Sequence, residues 1–306
     1  MFSARRCLTL RVRRPTIAPI SVTLRHLHVT RTLHAAGELG HFKTHPKSDA
    51  HFTQQAKAPS PPTEWENPIP HAIYTADDVN SIEETHRDPK ETHAKVALFA
   101  VRVLRGGFDL VSRYKGPGGG MTSTDWLNRC LFLETVAGVP GMVAGMSRHL
   151  RSLRTMQRDQ GWIHTLLEEA ENERMHLLIF MTMKAPGPLF RLFVVGGQGV
   201  FFNMFFLTYL ISPKTCHRFV GYLEEEAVHT YTAMIEDIEA GHVGSWKTEV
   251  APAIGRKYYH LAEDATVLDM IKCVRADEAN HRDVNHTFAN LDGEKDVNPF
   301  LHAHSK

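Results

Sequence analysis

From residue 92 to 290, apolar positions recur at three- and four-residue intervals, a periodicity that predicts helices throughout. Val101, Leu104, Phe108 and Val111 mark one such stripe, with Lys95, Arg102, Arg105, Arg113 and Lys115 around it. That pattern is a basic amphipathic helix of the kind that can lie in a membrane interface. Residues 192–211, LFVVGGQGVFFNMFFLTYLI, carry no charge and would be long enough to span a bilayer. Three glycines, Gln198, Asn203 and the flanking Arg191 weaken a spanning role. A buried core helix or a helix half-sunk in one leaflet remains. The aromatic cluster Phe201, Phe202, Phe205 and Phe206, taken with the basic helix, favours attachment to one leaflet.

The flanks break the periodicity. Pro46, Pro59, Pro61, Pro62, Pro68, Pro70 and Pro89 make residues 37–91 a Pro-rich arm or linker. Residues 291–306 read as a polar tail. Residues 1–36 hold no acidic side chain but include Arg5, Arg6, Arg11, Arg13, Arg14, Arg25 and Arg31, the composition of a mitochondrial presequence. The 306-residue chain is otherwise ordinary, 42% hydrophobic and 23% charged. A net charge of +1 gives no reason to expect nucleic acid as a partner. Cys7, Cys130, Cys216 and Cys273 form no CxxC pair, so neither a zinc site nor a disulfide framework is expected.

Candidate chemistry comes from Glu-x-x-His pairs, whose spacing puts both side chains on one helix face. Six are present: Glu38/His41, Glu83/His86, Glu173/His176, Glu226/His229, Glu239/His242 and Glu278/His281. The pattern alone selects nothing, but helical facing does. Glu173 shares its face with Leu166, Ala170, Leu177 and Phe180; Glu278 shares its face with Ile271, Val274 and Asn285. Both pairs point into an apolar interior, where an ionised group is costly unless paired or bound to metal. Glu134 lies on a face with Leu127, Leu131 and Ala137. Glu224 has Val220, Ala227, Val228 and Tyr231. Glu225 shares its face with Arg218, Thr232 and Glu236, so it is expected to be solvated. Glu226 has Phe219, Tyr222 and Leu223 nearby, and periodicity leaves Glu224 and Glu226 both open. In chain order the ligands read Glu, Glu-x-x-His, Glu, Glu-x-x-His. This is the donor set of a ferritin-like four-helix bundle with a two-metal carboxylate centre. Such oxygen-rich ligation suits iron or manganese. Tyr231, two turns after Glu224, reads from the residues alone as a core tyrosine.

The strings LETVAGVPGM, LLEEAENERMHL, QGVFFN, YLISPK, VGYLEEEAVHTY and VRADEANHRDVNH resemble the mitochondrial alternative oxidases over residues 92–290. The resemblance implies an all-α, ferritin-like bundle with two membrane-associated helices. Its activity would be cyanide-insensitive ubiquinol:oxygen oxidoreduction that yields water and pumps no protons. The enzyme would be a homodimer on lipid of the matrix-facing leaflet of the mitochondrial inner membrane. Two iron ions would be held by Glu134, Glu173, His176, Glu224, Glu278 and His281, with Glu173 and Glu278 bridging, which selects Glu224 over Glu226. Tyr231 would be redox-active. Arg129, Leu133 and Thr230 would line the quinol pocket, and Asn172, His217 and Asp277 would orient ligands. Two positions depart from the family pattern: Asn280 stands where a first histidine is usual, and Tyr259 where a tryptophan is usual. No regulatory cysteine is available outside the presequence, as in fungal or protist members. A plastid-type plastoquinol oxidase, or another oxygen-activating two-iron enzyme, is the alternative, and iron storage is the non-enzymatic one.

Overall fold

The computed structural model describes residues 71 to 301. The expected presequence, the arm up to residue 70 and the end of the tail lie outside the described residues. Among those described, the elements in order are α1 (Ala76–Asn80), α2 (Thr92–Ser112), α3 (Ser123–Thr155), α4 (Trp162–Met183), α5 (Pro188–Ile211), α6 (Pro213–Glu239), α7 (Ala253–Tyr258) and α8 (Val267–Phe288). No strand occurs among the described residues, only an isolated bridge between Val250 and Thr266.

Local sequence explains several helix starts. Thr75, Thr122 and Thr266 each cap a helix N-terminus, and each faces an aspartate three residues on, Asp78, Asp125 and Asp269. The threonine oxygen accepts from the third backbone N–H and the aspartate accepts from the cap N–H, so two otherwise unpaired donors are satisfied. At the other end of α6, Gly241 adopts φ +81, so the Glu239/His242 pair falls across a helix stop.

The bundle consists of two closely packed pairs, α3 with α4 and α6 with α8. Gly141 sets the first pairing: a Cβ there would fall 2.6 Å from the Leu166 carbonyl oxygen, so any side chain would push the helices apart. Gly221 does the same for the second, where a Cβ would lie 2.5 Å from His286 Nδ1. The main core gathers Trp126, Leu131, Met175, Ile179, Phe180, Met234 and Ile271 from all four helices.

Helices α2 and α5 lie outside this bundle, α2 against α6 and α5 against α3 and α6. α2 leaves Phe99, Val103, Leu110 and Val111 exposed, and α5 leaves Leu192, Phe193, Val200 and Ile211 exposed. α5 is long and apolar enough to cross a membrane, with 11% of its most apolar stretch buried. α3 meets the same measure, but 50% of its stretch is buried, as befits a bundle helix. Residues 71–91, part of the Pro-rich arm, contain α1 and run along α6 and α8. Arg275 donates to the Val79 carbonyl at 2.9 Å and Arg282 to the Glu83 carbonyl at 2.9 Å.

Candidate metal centre

The four bundle helices bring their apolar-face carboxylates to one point. Glu134 comes from α3, Glu173 and His176 from α4, Glu224 from α6, and Glu278 and His281 from α8; all are buried. They form two overlapping groups: Glu134, Glu173, His176 and Glu278, and Glu173, Glu224, Glu278 and His281. Within each group the donor atoms lie within 4.8 Å of one another. Glu173 and Glu278 belong to both groups, so each can reach two metal positions.

The donors face inward and meet little but one another. Glu134 Oε2, both Glu173 oxygens, His176 Nδ1 and His281 Nδ1 are buried and have no partner outside the cluster, where the ring nitrogens approach the carboxylates at 2.8 to 3.7 Å. Unpaired buried polar atoms are rare and costly. Their convergence fits a metal centre and resists explanation as an ordinary core. The charges agree. Burial, and after it the neighbouring Glu173, pushes the Glu134 carboxyl well above its usual range. Burial and the charge of Glu278 do the same to Glu224. For Glu173 burial also acts upward, but hydrogen bonds from His176 and His281 outweigh it and hold it below the usual range. Crowded carboxylates of this kind are relieved by cations.

One metal-side histidine is braced from behind. His176 Nε2 donates to Asp277 Oδ2 at 2.9 Å, which leaves Nδ1 free for metal. Asp277 also accepts from Asn172 Nδ2 at 3.0 Å and the Tyr259 hydroxyl at 2.8 Å. At this departure from the family pattern, the Tyr259 phenol supplies a donor to Asp277. Burial would raise Asp277, yet the charge of His71 and the hydrogen bond from His176 hold it well below the usual carboxylate range. His217 sits farther out. Its Nδ1 donates to Asn285 Oδ1 at 3.1 Å, and Asn285 Nδ2 donates to Glu169 Oε2 at 2.8 Å and to the His281 carbonyl at 3.0 Å.

Tyr231 is buried and its hydroxyl donates to Glu134 Oε1. Burial first, then the neighbouring Cys130 and Glu134, raise its phenol well above 10.0. Arg129, 1% exposed, is held between the Phe108 and Tyr114 rings. Its Nη2 donates to Asp109 Oδ1 at 2.7 Å and its Nη1 to Ser112. Thr230 joins the same network through Arg105, whose Nη1 reaches Thr230 Oγ1 at 3.0 Å and Glu226 Oε2 at 2.8 Å and whose Nε reaches Asp109 at 2.7 Å. Leu133 lies beside Glu134 on α3, partly buried.

Three carboxylates were read differently or not at all from sequence. Glu225 is not solvated: it accepts from His86 Nδ1 at 2.7 Å, His286 Nε2 at 2.8 Å and the Arg87 backbone at 2.9 Å. Two of those partners belong to the arm, which helical periodicity within α6 could not place. Glu226, which periodicity left open, turns outward to Arg105 of α2. Glu169 is a fifth buried glutamate near the centre, pushed up to about 7 by burial. Its place four residues before Glu173, on the same face, was the available signal.

A four-helix bundle with two Glu-x-x-His motifs and two further glutamates at its heart defines a ferritin-like carboxylate metalloprotein. The sequence profile of the family described as alternative oxidase matches residues 74–290. The chain is 56% identical over 239 residues to the mitochondrial alternative oxidase of Emericella nidulans, covering 75% of this chain and 68% of that one. It is 50% identical over 287 residues to that of Venturia inaequalis, covering 89% and 77%. To that of Aspergillus niger it is 54% identical over 239 residues, covering 75% and 68%. The chain belongs to the alternative oxidase family, the ubiquinol oxidases.

Proposed function

We propose that the enzyme oxidises ubiquinol at a centre of two iron ions held by Glu134, Glu173, His176, Glu224, Glu278 and His281. The observation that carries this reading is the pair of four-donor groups sharing Glu173 and Glu278. Glu134 and His176 would serve one ion, Glu224 and His281 the other, and the shared carboxylates would bridge. When bound, the irons supply the electron-accepting and oxygen-reducing chemistry. Two quinols give up four electrons and four protons, and one O2 takes them up as two waters.

The chain's own residues bind and orient. Arg129 Nε is buried and has no acceptor, so a quinol oxygen in reach of it would complete its hydrogen bonding. Thr230 and Leu133 would line the same pocket between α2, α3 and α6. Tyr231 follows Thr230 on α6 and its hydroxyl is bonded to Glu134, so it would pass an electron and a proton. Asn172 and Asp277 fix the His176 ring, and His217 fixes Asn285 behind His281.

The exposed apolar faces of α2 and α5 support attachment to one leaflet of a lipid bilayer. The acid-free leader and the mitochondrial relatives support the matrix face of the inner membrane. Met142, Leu150 and Leu153 leave an apolar stripe on α3 that would seat a second copy in a homodimer. Glu173→Ala tests the centre: cyanide-resistant oxygen uptake with a soluble quinol should disappear and iron content should fall. Full activity in that variant would sink the reading.

A further inference from the structure

The Asp277 carboxylate carries more donors than the bundle alone provides. Its Oδ2 is taken by bundle and loop groups: Asn172, His176 and Tyr259. Among the described residues, its Oδ1 is taken by the arm alone. His71 Nε2 donates to it at 2.8 Å and the Tyr74 hydroxyl at 2.5 Å. Five donors crowd one buried carboxylate that has about four lone-pair sites, so none is left for water. The charge and rotamer of the group behind His176 therefore depend on a segment outside the four helices.

Both arm residues are built in. The His71 ring packs 4.7 Å from Tyr258 and 4.8 Å from Tyr259, centroid to centroid, and 5.2 Å from Tyr74. The Tyr74 hydroxyl also accepts from Asn280 Nδ2 at 2.8 Å. A phenol has one proton. With Asn280 donating to its oxygen, that proton is directed to Asp277. Asn280 is one residue from His281 and two from Glu278, so α8 fixes the phenol from the same turn that supplies the metal donors.

We propose that His71 and Tyr74, with Asn280 behind Tyr74, are positioning residues of the metal centre: the arm closes the outer half of the Asp277 carboxylate and thereby sets the orientation and basicity of His176. The inference rests on the metal-centre reading and adds the arm to it. It also gives this chain's asparagine at position 280 a task, orienting the Tyr74 proton. Groups that orient metal-binding histidines typically change metal affinity or activity by about 10- to 100-fold when removed.

The test uses the full-length, iron-loaded enzyme and reads the rate of iron loss to excess chelator, the Mössbauer signature of the two irons, and the melting temperature of the iron-depleted protein. Tyr74→Phe and His71→Phe keep the rings and remove the donors. Each should speed iron loss roughly tenfold or more and change the signature of one iron. Asn280→Asp should resemble Tyr74→Phe, because a carboxylate would draw the phenol proton away from Asp277. His71→Gln, which keeps an N–H donor, should restore most of the retention. Glu84→Ala loosens the same arm at its exposed contact with His229, 2.6 Å away, without touching Asp277, and should retain iron like the parent. The proposal falls if Tyr74→Phe and His71→Phe release iron at the parent rate. It also falls if Glu84→Ala releases iron as fast as they do, or if iron loss merely follows the melting temperature. A parent protein that binds no iron would instead remove the reading of the centre itself.

Discussion

At one end of the centre, His176 is fully buried and its outer nitrogen is fixed by Asp277, itself held by groups from α4, the turn after α7 and the arm. At the other end, His281 Nδ1 approaches Glu173 Oε1 at 2.8 Å, but among the described residues no acceptor lies on its Nε2. What stands behind it is a neutral chain, Tyr209, His217 and Asn285, ending on the carboxyl of Glu169. The sequence motifs are the same Glu-x-x-His, so the helix period places both rings alike. Their surroundings make one end a tightly oriented ligand and the other a ring held mainly by packing. The Tyr231 hydroxyl meets Glu134, on the braced side. The asymmetry suggests a division: orientation and electron transfer at the His176 end, tolerance of change at the His281 end.

The largest effect is expected from Tyr231→Phe. The ring and its packing remain, and only the hydroxyl on Glu134 is lost. Turnover should fall roughly a hundredfold or more, the scale of a positioned proton donor, while bound iron stays at the parent level. Loss of iron in this variant would mean that Tyr231 serves the ligand set and not the chemistry.

Asp277→Asn should come next. The amide cannot accept the full set of donors, so His176 loses its charged brace and at least one buried hydroxyl loses its acceptor. Iron affinity should drop by about 10- to 100-fold, measured by titration against a chelator. Asn285→Ala makes the matching cut at the other end. It strips a partner from Glu169 and from His217, and leaving buried polar groups unpaired costs about 1–3 kcal/mol each. Chemical denaturation should register that loss, with iron affinity changed less than in Asp277→Asn. Equal iron loss in the two variants would erase the difference between the ends.

How far the sequence could be read follows the same division. Core-facing glutamates were visible because helix period and apolar neighbours are local: Glu134, Glu173 and Glu278 are set by residues within two turns. Glu224 and Glu226 stayed open because both lie near apolar neighbours, and what separates them is Arg105, 121 residues away. Two of the three partners of Glu225 and the Oδ1 donors of Asp277 come from the arm, where prolines remove periodicity and leave nothing local to read. His71 and Tyr74 were invisible for that reason. The Tyr259 and Asn280 departures registered as changes of letter; only the hydrogen bonds to Asp277 and Tyr74 show what each does.

The smallest effect concerns the neutral chain behind His281. Burial, opposed in part by the hydrogen bond to Asn285, pushes the His217 imidazole down from 6.5 to about 4. The folded protein thus favours the neutral ring, which donates from Nδ1 to Asn285 and accepts on Nε2 from the Tyr209 hydroxyl. A depressed histidine contributes stability that is fully present above the unfolded value. That stability is lost as pH falls from 6.5 through about 4, where the unfolded chain takes up a proton the folded one refuses. The shift corresponds to about 3 kcal/mol. His217→Asn removes the titration but shares every other acid-sensitive group with the parent. Between pH 7 and 4 its unfolding free energy should therefore fall by about 3 kcal/mol less than the parent's. Parallel curves would mean that His217 takes up its proton in the fold as readily as in the unfolded chain, and the fold would then impose no neutral ring at this end.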